Sequence, residues 1–445
     1  MASDATLRDL PLDSSAASAA SASSAASPGP STLASPCVPK TRRDAALDGL
    51  RGLAILLVFI FHYGGGLQST KPAQRLAGYF TQFSWCGVVL FFALSGFLIT
   101  GSLWETNHTA HRLRNFYARR ALRILPLYVA ALLATAIAAL YTGAHLAQLK
   151  PLLVFVFFLQ NFPHLSSYAL STPSPLPLYH FWTLAVEEQF YLIWPIVLFL
   201  AHSRRHALRL SLWFFGICTF FLFSIYTMAP FVGAVTHHLY DYFLLTQGGA
   251  IALGCALSLA MGNRASPTGR KPGTHRLIRK YAHHAFFIGL AIYLLAGIAS
   301  GTFYLTYPVQ FWLGLPALSV AAAAAIPLVL RTGLPRRIFS WTPLGWLGRI
   351  SYGFYVFHIL LEPLYDHLGA SISHSYTGDY YHIVRALLAF VITFIVSWLS
   401  FYLFETPILS LKRFFPVNAS LPWGEPINET PRSRRRTSHS VPKGA

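Results

Sequence analysis

Long apolar runs alternate with short basic loops along this chain, and that pattern fixes its class before any motif is read. A run of roughly 20 apolar residues crosses a hydrocarbon core of about 30 Å. Ten runs are long enough: about 50–67, 84–104, 124–144, 181–201, 209–230, 242–261, 284–300, 310–330, 351–369 and 384–404. An eleventh, PLLVFVFFLQNF (151–162), is short for a crossing and reads as re-entrant or interfacial. Composition agrees, because only 11% of the 445 residues are charged while 54% are hydrophobic. A soluble domain carries about 25% charged residues. The expected fold is all-α, a polytopic transmembrane helical bundle of about ten spans plus one short re-entrant or interfacial helix, with the lipid bilayer as its partner.

The net charge of +19 is distributed by topology. With ten crossings and the N-terminus inside, Lys71, Arg75 and Lys150 are the only Lys/Arg in outside loops, and Arg51 and Arg385 lie within spans. Were 151–162 a full crossing, SRRHALR (203–209) and the basic loop 262–283 would face outward. The preference of Lys and Arg for cytoplasmic loops therefore selects ten spans with both termini cytoplasmic. The same preference accounts for the basic balance, and with no RNA- or DNA-binding motif no nucleic-acid partner is expected.

Residues 1–40 form a Ser/Ala-rich tail expected to be disordered; they lack the basic segment and continuous apolar core of a signal peptide. Residues 41–415 form the transmembrane domain, and 416–445 a basic disordered tail containing RSRRR (432–436). Cys37, Cys86, Cys218 and Cys255 form no CxxC pair, so neither a disulfide frame nor a metal site is expected.

Ionisable side chains inside a span cost at least about 2.5–3.5 kcal/mol on insertion scales and need a partner or a task. In the first span, LDGLRGLAILLVFIFHYGGG, Arg51 and His62 are eleven residues apart. That spacing puts them on one helix face about 16 Å apart. Arg51 alone reads equally as a snorkelling side chain at a helix end. His62, beside a Gly-Gly-Gly break, has room for a substrate. In the fourth span, YHFWTLAVEEQFYLIWP, Glu187 shares a face with Thr183, Tyr191 and Trp194, whereas Glu188 has leucines one turn away on both sides. Glu187 therefore faces a polar interior, either as a site residue or as the structural partner of a buried Arg. Ser351, Tyr355, His358 and Glu362 fall on one stripe of the ninth span, as expected of a lined cavity. Before the third span, Arg119, Arg120 and Arg123 cluster at the cytoplasmic edge, beside Phe116, Tyr117 and Tyr128. Guanidinium forks suit phosphate oxygens, although topology alone explains any single Arg here. Ser95 and Gly96 form a small-residue notch for close helix packing, and no GxSxG elbow marks Ser95 as a nucleophile.

These segments, taken in order, resemble the acyltransferase-3 family of membrane proteins, which includes O-antigen and other surface-polysaccharide O-acetyltransferases. The resemblance runs from about Asp48 to Pro407 through LDGLRGLAILLVFIFH, FFALSGFLITGSLW, FYARRALRILPLY, FWTLAVEEQFYLIWP, LGRISYGFYVFH and YLFETP. It implies an acyl-CoA donor, usually acetyl-CoA, on the cytoplasmic side, a carbohydrate or glycolipid acceptor, and a bacterial inner or plasma membrane. It also implies that His62 and Arg51 belong to the catalytic centre with Glu187 in support, and that Arg120 and Arg123 engage the donor's phosphates, with Arg119 beside them. Two positions depart from the family pattern: Gln247 stands where an Arg is common, and Thr183 replaces the usual Ser. Some relatives append a soluble esterase-like domain, which this chain is expected to lack.

The expected chemistry is alignment of an activated thioester and removal of a proton. His62 serves as general base or brief acyl carrier, Glu187 or Glu362 orients its imidazole, and His358 lies in the same cavity. A carrier or flippase without chemistry is the alternative, since intramembrane Arg, His and Glu also mark transport paths. A scaffold or sensor would need no arginine cluster.

Overall fold

The computed structural model describes residues 44–65, 72–105, 111–232, 243–261, 273–304 and 309–416. The tails expected at 1–40 and 416–445 lie outside these residues, apart from Pro416. Among the described residues there is no strand, and nine helices are long and apolar enough to cross a membrane. The principal helices are α1 (Ala45–Tyr63), α2 (Cys86–Glu105), α3 (Arg112–Tyr141), α4 (Trp182–Leu200), α5 (Arg204–Val232), α6 (Leu244–Met261), α7 (Gly273–Ser300) and α8 (Leu315–Val329). They are followed by α9 (Thr342–Arg349), α10 (Ser351–Leu360), α11 (Glu362–Ser373) and α12 (Asp379–Ser400).

α1 begins where the Asp44 carboxylate accepts a hydrogen bond from the Ala46 amide at 3.0 Å, satisfying an orphan donor of the first turn. It then runs unbroken to Tyr63 through the interior, burying Leu50, Ile55 and Val58. Phe92 and Leu94 of α2, Val186 and Phe190 of α4 and Phe354 of α10 complete this core. The apolar side chains of α3, α5, α7 and α12 that point outward, such as Ile137, Phe220, Leu295 and Leu387, are exposed. In a bilayer those faces meet lipid.

Glycines bring backbones into contact. A Cβ on Gly96 of α2 would lie 2.1 Å from the Ile251 carbonyl oxygen, and one on Gly254 of α6 would lie 2.0 Å from that of Ala93. The notch at Ser95–Gly96 is thus a close crossing of α2 and α6, as the small residues predict. α1 meets α9 in the same way: a Cβ on Gly348 would sit 1.8 Å from the Asp48 carbonyl oxygen, and one on Gly52 2.1 Å from that of Leu344. This second crossing fixes the turn of α1 that carries Arg51.

The structure departs from the expected spans in one place. Residues 351–369 are not one crossing helix but α10 and α11, interrupted at Leu361. Pro363 stands in the first turn of α11; it has no N–H to give the Ile359 carbonyl and its ring crowds that residue, so α10 cannot continue through it. The short apolar piece contains a five-residue helix, Leu152–Val156, too short to span. Its irregular backbone is sheltered by protein: the Tyr128 hydroxyl donates to the Phe155 carbonyl at 2.8 Å, and Gln160 donates to Phe181 O at 2.9 Å.

Gly254→Val is expected to force α6 off α2 at an overpacking cost of about 1–3 kcal/mol. The thermal midpoint of the detergent-solubilised protein should fall. Gly216→Ala, where an added Cβ meets nothing within 4 Å, should leave it unchanged.

Candidate active site

Two polar clusters lie at opposite ends of α1. Its N-terminal half carries Arg51, whose guanidinium lies 3.5 Å from the buried Asp48 carboxylate, one turn back. Around Arg51 the first turns of α3 contribute Arg112, Arg119, Arg120 and Arg123, and the end of the described chain contributes Lys412. These cations line one vestibule of about 170 Å³ in which no acidic side chain takes part. Specific contacts orient them, and Arg112 lies over the Phe199 ring at 4.7 Å. Arg119 donates to the carbonyls of Lys412 at 3.3 Å and Phe415 at 3.1 Å. The Arg120 guanidinium stacks on the Tyr191 ring at 4.5 Å and reaches Phe116 at 5.9 Å. Such stacking holds a cation in place without neutralising it.

Past Arg51, Arg120 and Arg123 the vestibule meets a chamber between α1, α2, α4 and α10, about 110 Å³ in volume. By the same measure one water needs about 10–15 Å³, so the chamber holds several. Glu187 faces it. Its carboxylate accepts from the Ser95 hydroxyl at 2.6 Å, and Ser95 in turn accepts from the Tyr191 hydroxyl at 2.9 Å. Tyr191 carries the stacked Arg120, so a carboxylate, two hydroxyls and a guanidinium form one connected group. Beyond it the walls turn apolar, with Val58, Val88, Phe92 and Leu184. Thr183 and Tyr355 stand at the far side. The Tyr355 hydroxyl donates to the His180 carbonyl, so the Thr183 hydroxyl, 2.6 Å away, is the donor to Tyr355.

Three imidazoles gather there. The His62 ring, one turn beyond Val58, lies 5.0 Å from that of His358, and His358 lies 5.2 Å from His180. In each ring one nitrogen faces a carbonyl: His62 Nδ1 faces Val58 O at 2.9 Å, His358 Nδ1 faces Tyr355 O at 2.6 Å, and His180 Nε2 faces Val356 O at 3.3 Å. A carbonyl only accepts, so each of these nitrogens carries the hydrogen. The neutral rings therefore offer a lone pair at His62 Nε2, His358 Nε2 and His180 Nδ1. His358 and His180 are buried, and their lone-pair nitrogens have no hydrogen-bond partner among the described residues. Around His62 the outer rim consists of Tyr179, Glu362 and Arg385, with Tyr63 donating to the His358 carbonyl.

Of the residues singled out in the sequence, Arg51, Arg119, Arg120 and Arg123 meet around the vestibule, and Glu187 joins them in the chamber. His62 and His358 meet at the other end. Neither carboxylate considered for orienting the imidazole bonds to it: Glu187 accepts from Ser95, Glu362 pairs with Arg385 and Tyr179, and the partner of His62 Nδ1 is a backbone carbonyl. Gln247 is buried in α6. Among the described residues no cluster of His, Cys, Asp or Glu is arranged to hold a metal.

Residues 44–402 match the family described as Acyltransferase domain, acyltransferase-3. The chain belongs to the acyltransferase-3 family. Relatives include the putative peptidoglycan O-acetyltransferase YrhL of Bacillus subtilis, 30% identical over 81% of this chain and 54% of that protein. The peptidoglycan O-acetyltransferase OatA of Listeria monocytogenes is 29% identical over 82% of this chain and 55% of its own length. The O-acetyltransferase OatA of Staphylococcus aureus is 25% identical over 84% and 58% respectively. The chain thus spans a little over half the length of these curated relatives. No solved structure matches it.

Two participants in the geometry of this family member are not marked by helix periodicity. His180 was available as a signal, two residues before Trp182 and seven before Glu187, on the same side of the segment. Ser95 was read only as a packing residue, yet it is the hydrogen-bond partner of Glu187. Ser95→Ala removes the hydrogen bond that the buried Glu187 carboxyl accepts, a loss of about 1–3 kcal/mol. A lower thermal midpoint than wild type is expected, with Ser95→Thr restoring most of it.

Proposed function

We propose that this protein is an integral membrane O-acetyltransferase that takes its acyl group from acyl-CoA, acetyl-CoA in the first instance, and places it on a hydroxyl of a cell-surface or lipid-linked carbohydrate. The observation that carries this reading is the layout along α1: an arginine vestibule and a histidine cluster about 16 Å apart, with a chamber between them that runs from Arg51 to Val58, one turn before His62. The relatives named as peptidoglycan O-acetyltransferases make cell-wall glycan the first acceptor to test.

In this reading the vestibule faces the cytoplasm, in keeping with the Lys/Arg distribution. Arg120 and Arg123, with Arg119 and Lys412 beside them, take the donor's phosphates by charge-assisted hydrogen bonds. The thin pantetheine arm lies in the chamber past Glu187 and Ser95, and the thioester reaches the histidines. The acceptor hydroxyl gives its proton to His62 Nε2 and its oxygen attacks the thioester carbonyl. The C–S bond then breaks, and the departing thiolate takes the proton back from the imidazolium. The Nδ1–H bond to Val58 O holds His62 in the tautomer this step needs. His358, tied the same way to Tyr355, packs against that ring and keeps it in position. Arg51 and Glu187 act at the donor end: Arg51 offers positive charge to the donor, and Glu187 holds Ser95 and Tyr191, and through Tyr191 Arg120, in register.

Purified protein incubated with labelled acetyl-CoA and solubilised peptidoglycan fragments should consume thioester only when the acceptor is present. Uptake into vesicles without thioester loss would make it a carrier instead. His62→Ala should cut transfer by the 10²–10⁴-fold typical of a lost general base, with membrane expression intact. Arg120→Ala and Arg123→Ala should each raise the donor KM about tenfold, the size of one charge-assisted hydrogen bond, and leave the acceptor KM in place.

A further inference from the structure

The chamber and the vestibule are both absorbed by the donor; the polar network on the outer side of His62 is not. It is built on the break between α10 and α11, which places Glu362 at the start of a new helix. The Glu362 carboxylate accepts from the Tyr179 hydroxyl at 3.1 Å through one oxygen and from Arg385 at 2.7 Å through the other. Arg385 also pairs with Asp366, which takes a second bond from the Tyr381 hydroxyl at 3.1 Å. One guanidinium thus faces two carboxylates. A single carboxylate neutralises an arginine, so the second is surplus to a purely structural ion pair. Neither is sealed off: the side chains of Glu362 and Asp366 are 24% and 36% exposed, and Tyr179 is 39% exposed. The Tyr179 ring lies 6.4 Å from that of His62.

On the reading above, we infer that Tyr179, Glu362 and Asp366 form the acceptor subsite, and that it takes an uncharged sugar residue. Each carboxylate keeps lone pairs that sugar hydroxyls can fill as donors, and the aromatic face of Tyr179 suits the C–H face of a pyranose. Arg385 holds both carboxylates in place from behind, stacked on Tyr63 at 4.9 Å. The net negative charge of this group repels a polyanionic chain. It selects a hydroxyl-rich neutral glycan face and presents one of its hydroxyls to His62. Tyr179, Glu362 and Asp366 are binding residues, and Arg385 is a positioning residue.

The test uses the full-length protein in lipid nanodiscs without donor, with a neutral chito-oligosaccharide as probe and polyglycerol phosphate as its polyanionic counterpart, read by saturation-transfer NMR. The neutral sugar should bind saturably and the polyanion should not. Glu362→Gln and Tyr179→Ala should weaken sugar binding about tenfold, and Arg120→Ala should not change it. In wild-type protein, which needs no variant to fold, bound sugar should shield Glu362 and Asp366 from carbodiimide labelling. Tighter binding of the polyanion, sugar binding untouched by both variants, or labelling unchanged by sugar would overturn the assignment. Failure of the acyl-transfer reading looks different: no acceptor-dependent loss of thioester, whatever the sugar does.

Discussion

An ionisable group in hydrocarbon has to be answered by protein or water, and this bundle is arranged around that requirement. Arg385 is answered by two carboxylates, Arg119 by two backbone carbonyls, and Glu187 by a serine. Arg51, beside the Asp48 carboxylate, and Arg120, stacked on Tyr191, line a chamber large enough for water together with Arg123. The charges are thus sorted by place: some meet only protein, and others also border open volume.

Close backbone contact sets how well that sorting is kept. α1 carries both Arg51 and His62, so its position against its neighbours fixes both ends at once. Gly52 and Gly348 let α1 touch α9, and Gly96 and Gly254 let α2 touch α6. A methyl group at any of these sites would lie 1.8–2.1 Å from a backbone oxygen, so the two helices would have to part. The Ser95–Glu187 bond, at 2.6 Å between α2 and α4, has no slack to follow such a shift.

Legibility in the sequence follows the range of the interactions. Spans are legible because crossing a bilayer demands a run of apolar residues, and that demand is local. The Arg51–His62 stripe is legible because one unbroken helix, Ala45–Tyr63, carries both. The stripe from Ser351 to Glu362 was read with the same geometry and holds only as far as His358, since the helix ends at Leu360 and Glu362 begins another. Pro363 is the local signal for that break. The contacts Ser95–Glu187 and His180–Val356 join residues 92 and 176 positions apart. Periodicity on one helix cannot report those, because they depend on which helices are neighbours.

The apolar belt between the two polar ends follows from the chemistry proposed. A thioester held beside a general base is open to hydrolysis wherever water reaches its carbonyl, and a wet channel running the whole length of α1 would also pass protons. Val58, Val88, Phe92 and Leu184 give the chamber between the arginine end and the histidines an apolar wall. A slender chain of methylenes and amides fits such a path and, once in place, displaces the water that fills it. On the proposed reading the donor fills the conduit it uses and leaves the acceptor hydroxyl to approach His62 from the other side. The histidines are consistent with that arrangement: each is fixed in one tautomer by a backbone carbonyl, and among the described residues none is hydrogen-bonded to a carboxylate.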